Sequence, residues 1–177
     1  MAVLQTIKSL FIPARPAEPE RIVPAPPTEY AIKPLTTTQI KELLQLNLRC
    51  FTEGDSYNKH TLSYLLNEPT TVSYRAVTPS DELVAFVFAM INKNGAAHLT
   101  TIGVAPEHRR RGLAQRVLKH LERTLKAKDI GTIMLEVRVG NLPAQNLYRQ
   151  LGYTVVQRIN NYYSNGEDCY LMMKSLV

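Results

Sequence analysis

Residues 98–114 read HLTTIGVAPEHRRRGLA, and the reading of this stretch decides the fold. Its first part, His98–Val104, is rich in β-branched and apolar residues and reads as a strand. Pro106 interrupts it. From Leu113 the period changes. Leu113, Val117, Leu121 and Leu125 recur every four residues, Ala114 and Leu118 lie beside them, and Lys, Arg and Glu fall opposite. That pattern is a long amphipathic helix with one buried stripe.

Between strand and helix stand Arg109, Arg110, Arg111 and Gly112. The first N–H groups of a helix have no intrahelical partners, and the helix dipole adds partial positive charge there. Gly112 and Ala114 leave that backbone uncovered, and three guanidinium groups supply forked donors suited to phosphate. On these residues alone, a solvated basic turn before an ordinary helix is an equal alternative. The turn lacks the Gly-Lys-Ser/Thr ending of a triphosphatase loop and the three glycines of a dinucleotide fingerprint. A diphosphate that is not cleaved fits it better, and coenzyme A carries one.

Working outward, Thr36–Thr38 offers a cap to a helix carrying Ile40, Leu43, Leu44, Leu46 and Leu48, and a second short helix covers Lys59–Leu66. Strands are expected at Thr71–Val77 and Leu83–Ile91, separated by the turn Thr78-Pro79-Ser80-Asp81, and with His98–Val104 they suggest an antiparallel meander. After the long helix come a strand at Thr132–Val139 and a helix from Asn141 to Leu151. The latter has Pro143 in its first turn and Gly152 just past its end. Strands at Tyr153–Ile159 and Cys169–Lys174 follow. The expected class is α+β, a mixed, mostly antiparallel sheet of about seven strands with helices on both faces.

More than half of the eleven prolines fall between Pro13 and Thr28. Residues 1–29 are therefore read as an extended arm, with a weak amphipathic segment at Met1–Ile12, and residues 30–177 as one domain. The longest apolar run, Leu83–Ile91, is shorter than the ~20 residues that cross a bilayer. No leader with a cleavage site opens the chain, and its two cysteines, Cys50 and Cys169, read as reduced, structural thiols. A cytoplasmic monomer without membrane contact is expected. The net charge of +6 favours anionic partners without naming one. No RNP-like motif appears, so no specific nucleic-acid partner is expected. His60, His98, His108 and His120 show no metal-ligand spacing, and no metal is expected.

Arg109-x-x-Gly112-x-Ala114, placed between a strand and a long helix, resembles the Gln/Arg-x-x-Gly-x-Gly/Ala signature of the GNAT acetyltransferases. The pattern Glu136-x-Arg138-x-x-Asn141-x-x-Ala144-x-x-Leu147-Tyr148-x-x-Leu151-Gly152-Tyr153 follows it, with Asn161-Tyr162-Tyr163 and Glu167-Asp168 beyond. Together these are similar to the bacterial ribosomal-protein-alanine N-acetyltransferases (the RimI type), over roughly residues 30–176. The resemblance implies the GNAT fold and acetyl-CoA as co-substrate. It implies that the backbone of Ile102, Gly103 and Val104 pairs with the pantetheine arm, and Gly103 would then mark a strand bulge. Arg109, Arg110, Arg111, Gly112, Leu113, Ala114 and Gln115 would hold the diphosphate, and Asn141 would contact the cofactor. Glu136 matches the general base and Tyr148 the general acid. The serine usual before the asparagine is Gly140 here, which would loosen the turn.

Strand alternation puts Glu136 with Met134 and Arg138, away from the apolar layer of Ile133, Leu135 and Val137. A solvated carboxylate paired with an arginine is the other reading of Glu136. On spacing alone Tyr148 is a core aromatic. Tyr162 and Tyr163 read as a substrate wall or simple loop aromatics, with Glu167 or Asp168 available to a cationic N-terminus. The expected reaction is acetylation of a protein α-amine, on ribosomal or other proteins. The alternative is a lysine or small-amine acetyltransferase with the same cofactor site.

Overall fold

A computed structural model of the chain describes residues 22–51 and 56–177. The Met1–Ile12 segment and most of the proline-rich arm lie outside the described residues. Residues 22–30 run without regular secondary structure. Strand β1, Ala31–Pro34, follows them, and α1, Ile40–Cys50, comes after a single 3-10 turn at Thr37–Gln39. That turn starts in a reciprocal capping box between Thr36 and Gln39. Helix α2, Lys59–Asn67, is capped by Asn58, whose Oδ1 accepts from the Thr61 N–H at 2.9 Å. Then come β2, Thr71–Val77; β3, Leu83–Ile91; β4, Ala96–Val104; α3, Leu113–Lys126; β5, Thr132–Arg138; α4, Leu142–Gln150; β6, Thr154–Ile159; and β7, Cys169–Ser175.

The seven strands form one sheet in the order β1-β2-β3-β4-β5-β7-β6. The meander of β2, β3 and β4 is antiparallel as expected. β1 was not among the strands read from sequence; it is a four-residue edge strand whose Pro34 is tolerated at a sheet border. β3 lies between β2 and β4 and buries both faces over most of its length, which explains its unbroken apolar run. β4 and β5 are parallel neighbours, yet they pair only at Ala96↔Thr132, Ala97↔Ile133 and His98↔Met134.

Helices cover both faces. Tyr74 of β2 bonds Thr124 of α3 at 2.8 Å and sets its ring edge-on to His120. On the opposite face, Phe86 of β3 packs against Phe51, at the end of α1. Leu113, Val117, Leu118, Leu121 and Leu125 of α3 are fully buried, as their period requires. No helix among the described residues is long and apolar enough to cross a membrane.

Gly103 does not sit at a bulge. Its pairing with Phe86 is regular, and the register shift falls between Phe88 and Ala89, which face Thr101 and Leu99. Thr100 is the extra residue, and its hydroxyl donates to the Phe88 carbonyl at 3.0 Å. The glycine at position 103 answers a packing need, because a Cβ there would stand 2.5 Å from Cε1 of Phe86 and 3.0 Å from the Cys50 sulfur. Gly103→Ala should therefore destabilise the protein by about 1–3 kcal/mol, seen as a lower urea midpoint at unchanged m value.

Candidate active site

The parting of β4 from β5 makes the site. The Ala105 N–H donates to the Val84 carbonyl at 2.8 Å, so by strand alternation the N–H groups of Val104 and Ile102 point away from β3, into the gap. A cleft of about 270 Å³ opens there, with Ile102 and Val104 on one wall, Glu136 and Arg138 on the other, and Asn141 and Tyr148 of α4 at its side.

Glu136 is not a solvated carboxylate beside an arginine. Its side chain is 7% exposed, and its Oε2 lies 2.6 Å from Nε2 of His98, itself 6% exposed. The outer atoms of this pair, Glu136 Oε1 and His98 Nδ1, are buried without a hydrogen-bond partner among the described residues. A buried carboxylate oxygen normally has a donor, and this one, in a residue that lines the cleft, has none among the described residues. Sequence spacing did not single out His98. The two side chains meet only because β4 and β5 are parallel in this register.

Tyr148 is buried, tilted against Tyr153 with ring centroids 5.6 Å apart, and lines the cleft. Burial raises its hydroxyl above the ordinary value of 10.0, so it stays protonated at neutral pH. Burial, and after it the charge of Glu136, raises the Tyr162 hydroxyl above its ordinary value. Tyr57, from a segment that carried no sequence signal, buries its ring and donates to the Thr100 carbonyl at 3.3 Å.

Helix α3 starts at Gly112, which adopts a left-handed φ of 72° and gives the first turn no side-chain cap. Nothing lies within 4 Å of where a Cβ on Gly112 would stand. The N–H groups of Leu113, Ala114 and Gln115 thus begin a helix open to an anion. Arg110 is also left-handed, φ 62°, at a cost of about 1–2 kcal/mol for a non-glycine residue. The three arginines divide their roles. Arg109 Nε donates to the Val104 carbonyl at 3.1 Å. Arg111 turns to the arm, with Nη1 donating to Pro26 O at 2.8 Å. Arg110 is exposed and has no partner among the described residues. Gln115 ties α3 to α4 through Gln150 at 3.0 Å.

Asn141 caps α4, its Oδ1 accepting from the Ala144 N–H at 3.1 Å, while its residue lines the cleft. The glycine at 140 does not loosen the turn. Its N–H donates to Glu167 Oε1 at 3.1 Å, and a Cβ would stand 2.9 Å from that oxygen. The acidic residues of the following loop brace it and present no unpaired charge to a ligand. Glu167 pairs with Arg138 at 2.6 Å, and Asp168 pairs with Arg158 at 2.7 Å and accepts from the Asn161 N–H. The Arg138 guanidinium lies 3.7 Å above the Tyr163 ring, so the same arginine fixes the aromatic wall. Elsewhere, Glu82, Glu107 and His108 come within 4.8 Å of one another, but Glu107 is held by Arg49 and His108 by Tyr30.

A helix with an uncapped first turn thus lies beside a cleft lined by β4 on one wall and by the buried Glu136 on the other. Residues 40–153 match the Acetyltransferase (GNAT) family; the chain belongs to it and is an acyltransferase. It is 27% identical over 165 residues to the N-alpha-acetyltransferase of Sulfurisphaera tokodaii, covering 84% of this chain and 94% of that protein. It is 32% identical over 147 residues to naa20, the catalytic subunit of the N-terminal acetyltransferase B complex of Schizosaccharomyces pombe, covering 78% and 81%. The crystal structure of the ribosomal-protein-S18-alanine N-acetyltransferase from Escherichia coli shares the fold with a TM-score of 0.76 and 26% identity, over 84% of this chain and 94% of that one. The fold class and the family expected from the motifs are those found.

The Arg138 guanidinium holds the Glu167 carboxyl below the ordinary carboxylate range. The brace is therefore complete at neutral pH and lost only as the pH falls through that lowered value. Glu167→Gln removes it at every pH. Amide protection across residues 160–168 should fall several-fold in the variant at neutral pH, and in the wild type only once the pH drops below the ordinary carboxylate range.

Proposed function

We propose that the chain transfers the acetyl group of acetyl-CoA to the α-amino group of protein N-termini, ribosomal or newly made proteins among them. The observation that carries this reading is the buried Glu136–His98 pair, with Glu136 Oε1 unpartnered beside the gap-facing N–H groups of β4. The enzymes most similar to the chain include N-alpha-acetyltransferases of an archaeon and a yeast, which supports an α-amine as acceptor. The residues present suit acetyl-CoA. The uncapped first turn of α3 and the open space before Gly112 offer donors to a diphosphate, and the N–H groups of Ile102 and Val104 offer donors to an amide-bearing arm.

Acetyl-CoA supplies an activated acetyl group and a sulfur leaving group. The chain's own residues supply the proton traffic. A neutral amine attacks the acetyl carbon, forming the C–N bond, and Glu136 Oε1 accepts the proton that the nitrogen sheds. His98 Nε2, on the other carboxylate oxygen, fixes the direction of Oε1. The Val104 N–H donates to the carbonyl oxygen as its negative charge grows. Tyr148 gives its hydroxyl proton to the sulfur as the C–S bond breaks. An α-amine, pKa near ~7.7–8.0, reaches the neutral form at roughly 3–4 kcal/mol less cost than a lysine at ~10.4. A single carboxylate base is matched to the easier task.

Glu136→Gln should lower kcat about 100-fold or more while acetyl-CoA affinity, read by calorimetry, stays within twofold. Because burial lifts the Tyr148 hydroxyl above 10.0, it remains a proton donor at any lower pH, and kcat should show no alkaline fall through about pH 9. Mass spectrometry of peptide libraries with open and blocked α-amines tests the acceptor. Acetylation confined to open α-amines is expected, and acetylation of lysine side chains alone would overturn the reading.

A further inference from the structure

We propose that residues 22–30, the end of the proline-rich arm and the first residue of the domain, are a positioning element for the diphosphate-binding turn, setting acetyl-CoA affinity without touching the acceptor. The inference rests on the acetyl-CoA reading above and goes beyond it, because it assigns work to a segment that the motif does not include.

The contacts bracket the turn on both sides. Before it, the Ala25 N–H donates to the Glu107 carbonyl at 3.0 Å. From within it, the Arg111 guanidinium closes on the arm: Nη1 donates to Pro26 O at 2.8 Å and to Tyr30 Oη at 3.0 Å, and Nη2 donates to Ala25 O. Tyr30 joins the two sides. Its hydroxyl lies 2.9 Å from His108 Nδ1, its ring stands edge-on to the imidazole, and its carbonyl accepts from Arg116 of α3 at 2.9 Å. Glu107 is held in turn by a two-pronged pair with Arg49 of α1.

The turn needs such support. Arg110 and Gly112 are both left-handed, and no side chain caps the helix that follows. Backbone donors that must converge on an anion lose affinity when the loop carrying them is loose, because the ligand must then order it. Pro24, Pro26 and Pro27 lower the entropy of ordering the arm itself. Arg111 therefore acts on phosphate through the geometry of the turn and not through its Nη donors, which are committed to the arm, while Arg110 keeps its guanidinium in solvent.

The opposite sign is the competing account: an arm that withholds a guanidinium from phosphate would be inhibitory, and loosening it would tighten binding. Two variants of the full chain separate these. Tyr30→Phe deletes the hydroxyl shared by Arg111 and His108 but keeps the ring; Arg111→Lys keeps the charge but loses the fork. Calorimetry with acetyl-CoA is run first on the wild type, where no binding would overturn the proposed function and this inference together. Given wild-type binding, each variant should raise the acetyl-CoA Kd about 3- to 10-fold, and the pair combined should do no more than the worse of the two. Tyr30→Phe should also leave kcat and the acceptor KM within twofold and expose the Ala25 amide to faster exchange. An unchanged Kd, a tighter one, or an effect of Arg111→Lys with a silent Tyr30→Phe would overturn the inference alone.

Discussion

The structure depends on a withdrawal of hydrogen bonds. β4 and β5 are neighbours in one sheet, but they pair at three positions and then part after His98. Strand peptide groups ordinarily find partners, and leaving them open is costly unless a ligand or water takes them. Here the parting is built in. Thr100 inserts an extra residue into β4 directly after the last paired positions, and its carbonyl is taken by the Tyr57 hydroxyl. A bulge bends its strand and increases its twist, and this one falls where β4 and β5 stop pairing.

Every functional candidate is arranged around that opening. His98 is the last residue of β4 in register with β5, and its bond to Glu136 lies at the fork of the two strands. Breaking one half of a buried pair of this kind strands the other as an uncompensated polar group, so His98 at the fork and Glu136 hold each other in place. Downstream, the same strand runs into the Arg109–Gly112 turn, and Arg109 reaches back to the Val104 carbonyl. The gap-facing end of β4 and the arginine turn are thus one continuous, internally bonded piece of chain.

Much of this was legible in the sequence because its signals are local. The period of Leu113, Val117, Leu121 and Leu125 fixed α3, the apolar run Leu83–Ile91 matched β3 residue for residue, and Asn141 with Pro143 marked the start of α4. Other features were not legible because they are decided by contacts between distant residues. β1 has four residues beside a proline-rich stretch and shows no period. Gly103 looked like a bulge, but its cause is the Phe86 ring in the next strand. Gly140 looked like a weak point, but Glu167 fills the space it leaves. His98 gained its meaning only from the parallel register with β5, and Arg111 only from an arm more than 80 residues earlier.

The most direct test of the account is residue-resolved amide exchange on β4 with and without acetyl-CoA. The N–H groups of Ile102 and Val104 face the gap, whereas Gly103 is paired with Phe86 inside the sheet. Acetyl-CoA should slow exchange at Ile102 and Val104 and leave Gly103 unchanged. Protection confined to Gly103, or none on β4 at saturating acetyl-CoA, would contradict the claim that the parted strands receive the carrier.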